Sequence, residues 1–525
     1  MHSSLNITRV DDRLQLRLAP APVGAVQLWL GTRDGAVSTR AALQAQPDGS
    51  ALAELPVAEL LGPGVLRLDG KLQDDHGQQT PLVPSPPTSA ARHFFRDTVD
   101  GHGLSAYLSD SAASLVLMTA PHAQHARLAD AEDSRAAFAR DLRTLPLDRG
   151  LVLFESFLGK QYAGNPRYLY EALRELRPDL RCVWAYEGAQ SIPGDPPRVR
   201  RGSPEYFRVL AQAGYRVNNV LFAAHGRKPE TVYLQTWHGT PLKRLGWDIE
   251  VDGPEAAARA NFHGESRGWS LLLSANEYST TTLRRAFRYE GPVLETGYPL
   301  ADPLLDPTLD RAALATQLGL PTDRRFILYA PTWRDHRPVG AWRFDFDLNL
   351  DLQAVSAALA PDQMLLIKAH HLVSAGIDVS TLPSNVRDVS HLEDITPLCA
   401  LADVLVTDYS SVFFDFAVTG RPILFYCYDL ELYASQVRGF YLDMERDLPG
   451  PVARDTAQLL ALLADLPAVV VDHAGRYREF RERYCAMADG QAAQRVVDAV
   501  FGPAPLAAAT GNATAMLPRT EPAYA

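Results

Sequence analysis

The chain has 525 residues, of which 46% are hydrophobic and 22% are charged, so we expect a folded protein of about three domains rather than a disordered one. Its 62 acidic residues outnumber its 51 basic residues, and the net charge of −11 argues against a general nucleic-acid-binding surface. The four cysteines are widely spaced without a C-x-x-C pair and the N-terminus lacks a signal-peptide core, so we expect a cytoplasmic protein without a zinc site or disulfide framework.

Residues 1–145 are predicted to form a β-rich accessory domain. The runs 14–18 and 26–30 alternate apolar and polar side chains, as half-buried strands do, and turn sequences separate the later runs. Residues 106–119 indicate two further strands, after a proline-rich connector at 81–87. This part carries no catalytic constellation, and we interpret it as a small β-sandwich.

From Gly150 onward strands alternate with amphipathic helices, which indicates a parallel α/β sheet. A helix is predicted at 165–176, and strands are predicted at 151–155, 181–186, 232–236, 271–275 and 293–296. These elements would form a first Rossmann-like domain over 146–305.

The turn after the strand 232–236 has the richest chemistry in this domain. It contains an imidazole, a hydroxyl and two cations: His238, Thr240, Lys243 and Arg244. Pro241 suits the first turn of a helix, so we expect a helix to begin there, with His238 and Thr240 at its anion-binding N-terminus.

A second α/β block follows over 306–502. Strands are predicted at 326–330 and 364–368, and a βαβ unit at 404–426 places Asp408, Ser410 and Ser411 at a strand carboxyl end and a helix N-terminus, where a phosphate is favoured. A helix at 476–500 would close this block, and the Ala/Pro/Thr-rich tail 503–525 is predicted to be disordered. The expected fold is therefore α/β, with two Rossmann-like domains facing a cleft.

Several separated blocks resemble the CDP-glycerol glycerophosphotransferase family, whose members build teichoic acids and related capsular polymers. The resemblance spans roughly 154–500. It rests on 235–243 (QTWHGTPLK), 329–334 (YAPTWR), 368–370 (KAH), 407–411 (TDYSS), 415–416 (DF), 438–441 (RGFY) and 449–451 (PGP). The family has a GT-B architecture, which agrees with the two domains predicted from the alternation of strands and helices. The sequence departs from the family pattern at His371, where a proline is usual, and at Leu300, where an arginine is usual.

The resemblance implies transfer of an alditol phosphate from a CDP-activated donor to a lipid-linked or polymeric glycan acceptor, with release of CMP. His238 would be the catalytic base, since a neutral imidazole accepts a proton near neutral pH. His370 would act as the second catalytic histidine, at the phosphates of the donor. The substrate-binding residues would be Thr240, Lys243, Arg334, Lys368, Asp408, Ser410, Ser411 and Arg438. For Asp408 a role in holding the turn is an equal alternative, and a serine at this place is also an ordinary helix cap.

No cofactor and no metal are predicted. Asp345 and Asp347 match the D-x-D pattern of metal-dependent glycosyltransferases, but an acidic and apolar edge strand explains three residues equally well. In a GT-B enzyme, helix dipoles and basic side chains can supply the charge that a divalent ion supplies elsewhere.

Three other functions remain open from the sequence. The first is transfer of ribitol phosphate from CDP-ribitol, and the second is transfer of a sugar from a nucleotide sugar. The third is a catalytically inactive glycan-binding protein.

No stretch approaches the roughly 18 apolar residues of a membrane span, so membrane contact would be peripheral, on the inner face of the cell membrane. The arginine-containing stretch 267–288 could lie on an anionic leaflet, although an ordinary surface helix also explains it.

Overall fold

The computed structural model describes most of the chain. The described residues are 3–32, 37–85, 93–109, 114–188, 192–250, 259–332, 338–340, 343–344, 349–369, 382–431, 433 and 439–502. The predicted tail, 503–525, and part of the predicted proline-rich connector lie outside these residues.

The N-terminal part is a sandwich of two antiparallel sheets. Its strands β1 to β11 are Ser4–Val10, Arg13–Ala19, Ala25–Gly31, Ser38–Ala42, Gln44–Ala45, Ala51–Pro56, Leu66–Asp74, Gln79–Pro81, Phe95–Val99, His102–Leu108 and Leu115–Pro121. The sheet orders are β1-β2-β6-β5 and β4-β3-β7-β11-β10-β9, with β8 beside β7. Alternate residues of β2 and β3, such as Leu16 and Leu28, share one fully buried core. The predicted β-sandwich is confirmed.

A seven-stranded parallel sheet follows, which we call the first parallel unit. Its strands β12 to β18 are Asp148–Glu155, Arg181–Tyr186, Arg198–Arg200, Ala213–Asn218, Val232–Gln235, Leu271–Ser274 and Val293–Glu295. Helices α1 to α5 are His122–Thr144, Gly164–Leu176, Pro204–Gln212, Arg259–Ser266 and Glu277–Phe287. The strand order is β14-β13-β12-β15-β16-β17-β18. The five predicted strands are confirmed, whereas β14 and β15 were not predicted.

The second parallel unit has a six-stranded sheet in the order β23-β22-β19-β24-β25-β26, and β20 and β21 form a separate pair. Strands β19 to β26 are Arg325–Ala330, Pro338–Gly340, Arg343–Phe344, Gln363–Ile367, Val386–Asp388, Ala402–Thr407, Ile423–Tyr426 and Val452–Ala453. Helices α6 to α12 are Arg311–Gln317, Leu352–Ala358, Thr396–Leu401, Val412–Ala417, Thr456–Ala464, Leu466–Tyr484 and Ala492–Phe501. The predicted βαβ unit is β24, α9 and β25.

The prediction of one helix at 476–500 closing the second block is wrong. The chain leaves α11 after Tyr484 and passes through Gly490, whose φ of 81° is incompatible with a continuous right-handed helix, before α12 begins. The apolar face of α12, including Val496 and Val500, packs into the core of the first parallel unit with Phe154. The last helix therefore returns to the first sheet.

Polar contacts join the two parallel units on both sides of the gap between them. On one side, Arg167 of α2 lies 3.1 Å from an Asp394 carboxylate oxygen, and the Tyr168 hydroxyl donates to the same oxygen at 2.8 Å. On the other side, the Tyr441 N–H donates to the carbonyl of Leu242 at 2.8 Å. These contacts hold the two parallel units together.

Among the described residues, no single helix combines the length and apolar composition needed to cross a bilayer. One bent pair, α10 with α11, satisfies both conditions only when its two helices are counted together.

Truncation of Leu405 tests whether the second sheet depends on its central strand. Leu405 is fully buried in β24, so Leu405→Ala removes apolar contacts and leaves a cavity, with an expected loss of about 2–5 kcal/mol in the free energy of unfolding. Leu176→Ala, at a leucine that is 42% exposed, is the matched control and should cost much less. Urea denaturation followed by circular dichroism measures both, and equal midpoints for the two variants would contradict this account.

Candidate active site

His238 follows β16 at the carboxyl edge of the first sheet, and a backbone carbonyl sets its tautomer. Its Nδ1 lies 2.7 Å from the carbonyl oxygen of Asn219. A carbonyl oxygen only accepts hydrogen bonds, so Nδ1 carries the proton and the basic lone pair of the neutral ring is on Nε2. The half-buried imidazole is therefore prepared to take a proton at Nε2.

The turn before His238 is held in an unusual backbone conformation. Trp237 has a φ of 53°, in the left-handed region that a bulky side chain rarely adopts. The Gln235 side chain accepts from the Trp237 N–H at 2.9 Å, and Asn165 donates to the carbonyls of Thr236 at 3.1 Å and Trp237 at 3.2 Å. These hydrogen bonds pair the buried polar groups of the turn and fix the backbone from which the His238 side chain extends.

The loop that carries His238 comes close to the second parallel unit at Gly239. Gly239 has a φ of 147°, and a Cβ built there would lie 3.0 Å from the Ser411 hydroxyl oxygen. Ser411 directly precedes α9, and the neighbouring Ser410 hydroxyl accepts from the Val412 N–H at 3.4 Å. The residue after His238 therefore lies against the turn that contains the two serine hydroxyls.

Asp408 is buried beneath this contact. It is 1% exposed, and its Oδ1 accepts from the N–H groups of Thr332 at 2.8 Å and Tyr409 at 2.6 Å. This geometry favours the alternative in which Asp408 holds the turn between β24 and α9.

The prediction that a helix begins at Pro241 is wrong. Residues 242–245 pair with a segment of the second unit, where the Arg244 N–H donates to the Gly439 carbonyl at 3.1 Å and Lys243 forms a β-bridge with Phe440. Backbone groups used in this pairing cannot form helical hydrogen bonds, and a short 3₁₀ helix, Gly246–Asp248, follows instead.

The Lys243 ammonium lies 5.2 Å from the ring centroid of Tyr433. Thr240 is 2% exposed beside this segment.

Lys368 follows β22 on the second sheet. Its Nζ donates to the Ser390 carbonyl at 3.2 Å, and burial lowers its pKa although Asp388, Asp394 and Glu393 act in the opposite direction. The other predicted site residues, His370, Arg334 and Arg438, lie outside the described residues, as do His371, Asp345 and Asp347.

The arginines of the stretch 267–288 include two with partners in the protein. Arg285 pairs with Asp248 at 2.9 Å, and the Arg288 guanidinium lies 3.6 Å from the ring centroid of Trp247. These contacts favour the ordinary surface helix over a membrane-binding one.

Two buried asparagines at the site were not identified from the sequence. Asn165 is the second residue of α2 and Asn219 follows the unpredicted strand β15, and both are 0% exposed. The dipeptide Asn165-Pro166 signalled a helix start, but no local pattern indicated that its amide reaches the His238 turn. Asn219 was missed together with its strand.

Asp415 lies one turn after Ser411 on α9, next to Tyr298, whose hydroxyl donates to the Gly239 carbonyl at 3.4 Å. Burial, together with the negative charge of Asp394, raises the pKa of Asp415 from 3.8 to about 8. The contact between the two units therefore contains a carboxyl group that keeps its proton near neutral pH.

A family model, CDP-Glycerol:Poly(glycerophosphate) glycerophosphotransferase, matches residues 137–502. The chain belongs to this family. Among curated relatives, the teichoic acid poly(glycerol phosphate) polymerase of Bacillus subtilis (strain 168) is 37% identical over 68% of this chain and 49% of its own length. The teichoic acid glycerol-phosphate transferase of Staphylococcus aureus (strain NCTC 8325 / PS 47) is 38% identical over 69% of this chain and 95% of its own.

Solved structures of the wall teichoic acid polymerase TagF are similar to this fold. One aligns with a TM-score of 0.65 and 34% identity, covering 72% of this chain and 94% of that one. A second, a histidine-to-asparagine variant of TagF soaked with CDPG, also has a TM-score of 0.65. The chain spans about half the length of the first curated relatives it matches, at 49% and 50%.

Asp415 gives the protein a characteristic pH dependence. The unfolded chain loses this proton near its ordinary pKa of 3.8, whereas the folded protein keeps it up to about pH 8. Its contribution to stability is therefore complete below about pH 4 and is lost as the pH rises towards 8. Asp415→Asn removes the titration, so the Tm of the variant relative to wild type should rise across this window. If the Tm of Asp415→Asn and the Tm of wild type change in parallel with pH, the assignment of this pH dependence to Asp415 is contradicted. Asp472→Asn, at an exposed aspartate of α11, is the control variant.

Proposed function

We propose that this protein transfers an alditol phosphate, with glycerol phosphate as the first candidate, from a CDP-activated donor to a hydroxyl of a lipid-linked or polymeric glycan acceptor. The observation that carries the proposal is the approach of Gly239 to Ser411. It brings a base, His238, and a phosphate-binding turn to one point in a chain of this family. The reaction belongs to cell-wall and capsule polymer synthesis, and CMP is its second product.

His238 deprotonates the acceptor. In this mechanism its Nε2 takes the proton from the acceptor hydroxyl while that oxygen attacks the β-phosphorus of the donor. A phosphodiester bond to the acceptor forms, the bond between the β-phosphorus and the bridging oxygen breaks, and CMP leaves with the electron pair. The Asn219 carbonyl, 2.7 Å from Nδ1, supports the imidazolium that results.

The second parallel unit binds the donor. Ser410 and Ser411 precede α9, where hydroxyls and backbone N–H groups suit a pyrophosphate, and Lys368 supplies a positive charge from the end of β22, which is separated from β24 by β19. By family resemblance, His370, Arg334 and Arg438 complete this side of the site. Charge developing on the leaving phosphate is thereby stabilised by fixed donors.

The proposal includes a GT-B arrangement. The acceptor side is assigned to 146–305 and the donor side to 306–502, with 1–145 as an accessory domain. Two parallel sheets whose polar strand ends meet across a gap support this assignment. A place on the inner face of the cell membrane, by peripheral contact, would give the enzyme access to a lipid-linked acceptor.

Loss of the imidazole should abolish most of the activity. With CDP-glycerol and a lipid-linked acceptor extract, we expect wild type to release CMP and His238→Ala to release it about 10²–10⁴-fold more slowly, because general-base catalysis contributes about that factor. His473→Ala, at a histidine whose Nδ1 lies 3.2 Å from a carbonyl of its own helix α11, is the control.

CDP-ribitol and nucleotide sugars are run in parallel with CDP-glycerol. Release of CMP from CDP-ribitol alone would change the donor, and release of UDP or GDP would replace the proposal by sugar transfer. Unchanged cellular function of His238→Ala would favour the inactive binding protein.

Chelation tests the role of metal ions. Among the residues that the structure describes, no group of three or more His, Cys, Asp or Glu side chains is arranged to hold a metal. We therefore expect CMP release to survive preincubation with excess EDTA, since helix N–H groups and basic side chains stabilise the phosphates. Loss of activity that Mg²⁺ or Mn²⁺ restores would contradict this and would make Asp345 and Asp347 the first ligands to test.

A further inference from the structure

The loop after the central strand β12 has a strained backbone right beside His238. Three consecutive residues, Phe157, Leu158 and Gly159, have φ values of 45°, 60° and 77°. Only the last is a glycine, and a side chain with a Cβ disfavours this left-handed region. Strain of this kind persists only where the surroundings enforce it, and it concentrates at functional sites.

The residue that enforces this conformation is also the one that orients the catalytic histidine. The buried Asn219 side chain accepts from the Phe157 N–H at 2.8 Å, while the Asn219 carbonyl accepts from His238 Nδ1 at 2.7 Å. The loop is further fixed by Ser156, whose hydroxyl donates to the Ala163 carbonyl at 2.6 Å. Phe157 and His238 therefore have a fixed position relative to each other.

This arrangement places an aromatic ring next to the base. The ring centroid of Phe157 lies 6.1 Å from that of His238, at an interplanar angle of 54°. A Cβ on Gly164 would lie 3.3 Å from the Phe157 ring, so the backbone of Gly164 supports it from behind. Phe157 is half-buried, whereas Trp237, which also contacts His238, is only 4% exposed and packs in the core. Of these two rings, Phe157 is the one that offers accessible aromatic surface beside the base.

The chemistry of the ring distinguishes between the two substrates. A CDP donor presents phosphates, which need hydrogen-bond donors and positive charge, and the donor-binding residues Ser410, Ser411 and Lys368 proposed above belong to the second parallel unit. The acceptor must bring a hydroxyl within hydrogen-bond distance of His238, so its carbon skeleton lies against the surface around that histidine. An aromatic face suits the C–H groups of such a polyol.

We propose that Phe157 is a binding residue for the acceptor, whose terminal polyol unit packs its C–H groups on the phenyl ring and presents its hydroxyl to His238 Nε2. This rests on the proposed function and adds an acceptor subsite to it. The strained loop 157–159 of the first parallel unit forms one surface of that subsite. Asn219 is a positioning residue, because it acts through Phe157 and His238.

Replacement of the ring should affect one substrate only. In the CMP-release assay, Phe157→Ala is expected to raise the KM for the acceptor about tenfold or more, as the loss of a stacked aromatic contact does, with the KM for the CDP donor unchanged. Phe157→Tyr keeps the ring and should retain the wild-type KM. Leu158→Ala is the matched control, because it shortens an equally strained, half-buried neighbour.

A rise in the donor KM would overturn the proposal. A lower kcat with both KM values unchanged would also overturn it, because that result would show that the loop only supports His238.

If wild type releases no CMP from any CDP-alditol, the proposed function fails, and calorimetric titration with a glycerol phosphate oligomer tests the subsite separately. Binding that Phe157→Ala weakens about tenfold supports the subsite. Equal binding by both proteins, or none by wild type, overturns it.

Discussion

The close approach of Gly239 to Ser411 is the constraint on which the site depends. A Cβ at position 239 would lie 3.0 Å from the Ser411 hydroxyl oxygen and the residue would have to adopt a φ of 147°, so glycine is favoured where the loop after β16 reaches the start of α9. In the proposed mechanism each parallel sheet carries half of the chemistry, with a proton acceptor on the first and hydroxyls and N–H groups for the phosphates on the second. The contact between the two sheets would bring these halves together in one site.

Buried polar side chains make the strained approach possible. Below the His238 loop, Glu155 accepts from Arg201, Tyr206 and Asn218, and burial raises the pKa of this carboxyl even with Arg201 beside it. Asn218 precedes Asn219, so this network fixes the backbone from which His238 and the strained Phe157 loop are both held. Networks of this kind specify one geometry, because an unpaired buried polar group is costly.

Local sequence patterns predicted most of the parallel strands because these are uninterrupted apolar runs, whereas β14, β15, β23 and β26 were not predicted. Strand β15 was missed because it contains Gly214 and Arg216, and this arginine is only 2% exposed despite its charge. Pro241 is an acceptable first residue of a helix, but pairing with 439–441 took precedence over that local preference. The helix predicted at 476–500 was assigned to the second block, whereas α12 packs on the first sheet, because an apolar helix face does not indicate which of two sheets it covers.

The same limit applies to the site. Side chains with reactive groups, such as His238 and Ser411, are visible in the sequence because they follow strand ends. Asn165 and Asn219 are not, since asparagine is common at caps and turns and their partners lie 71 and 19 residues away along the chain. Backbone carbonyls and amides from distant segments set the tautomer and direction of the base, and only the tertiary fold brings them together. The carbonyl that binds His238 Nδ1 belongs to the backbone of Asn219 and survives any substitution there, whereas the amide that holds the Thr236 and Trp237 carbonyls belongs to the Asn165 side chain and is lost when that residue is replaced.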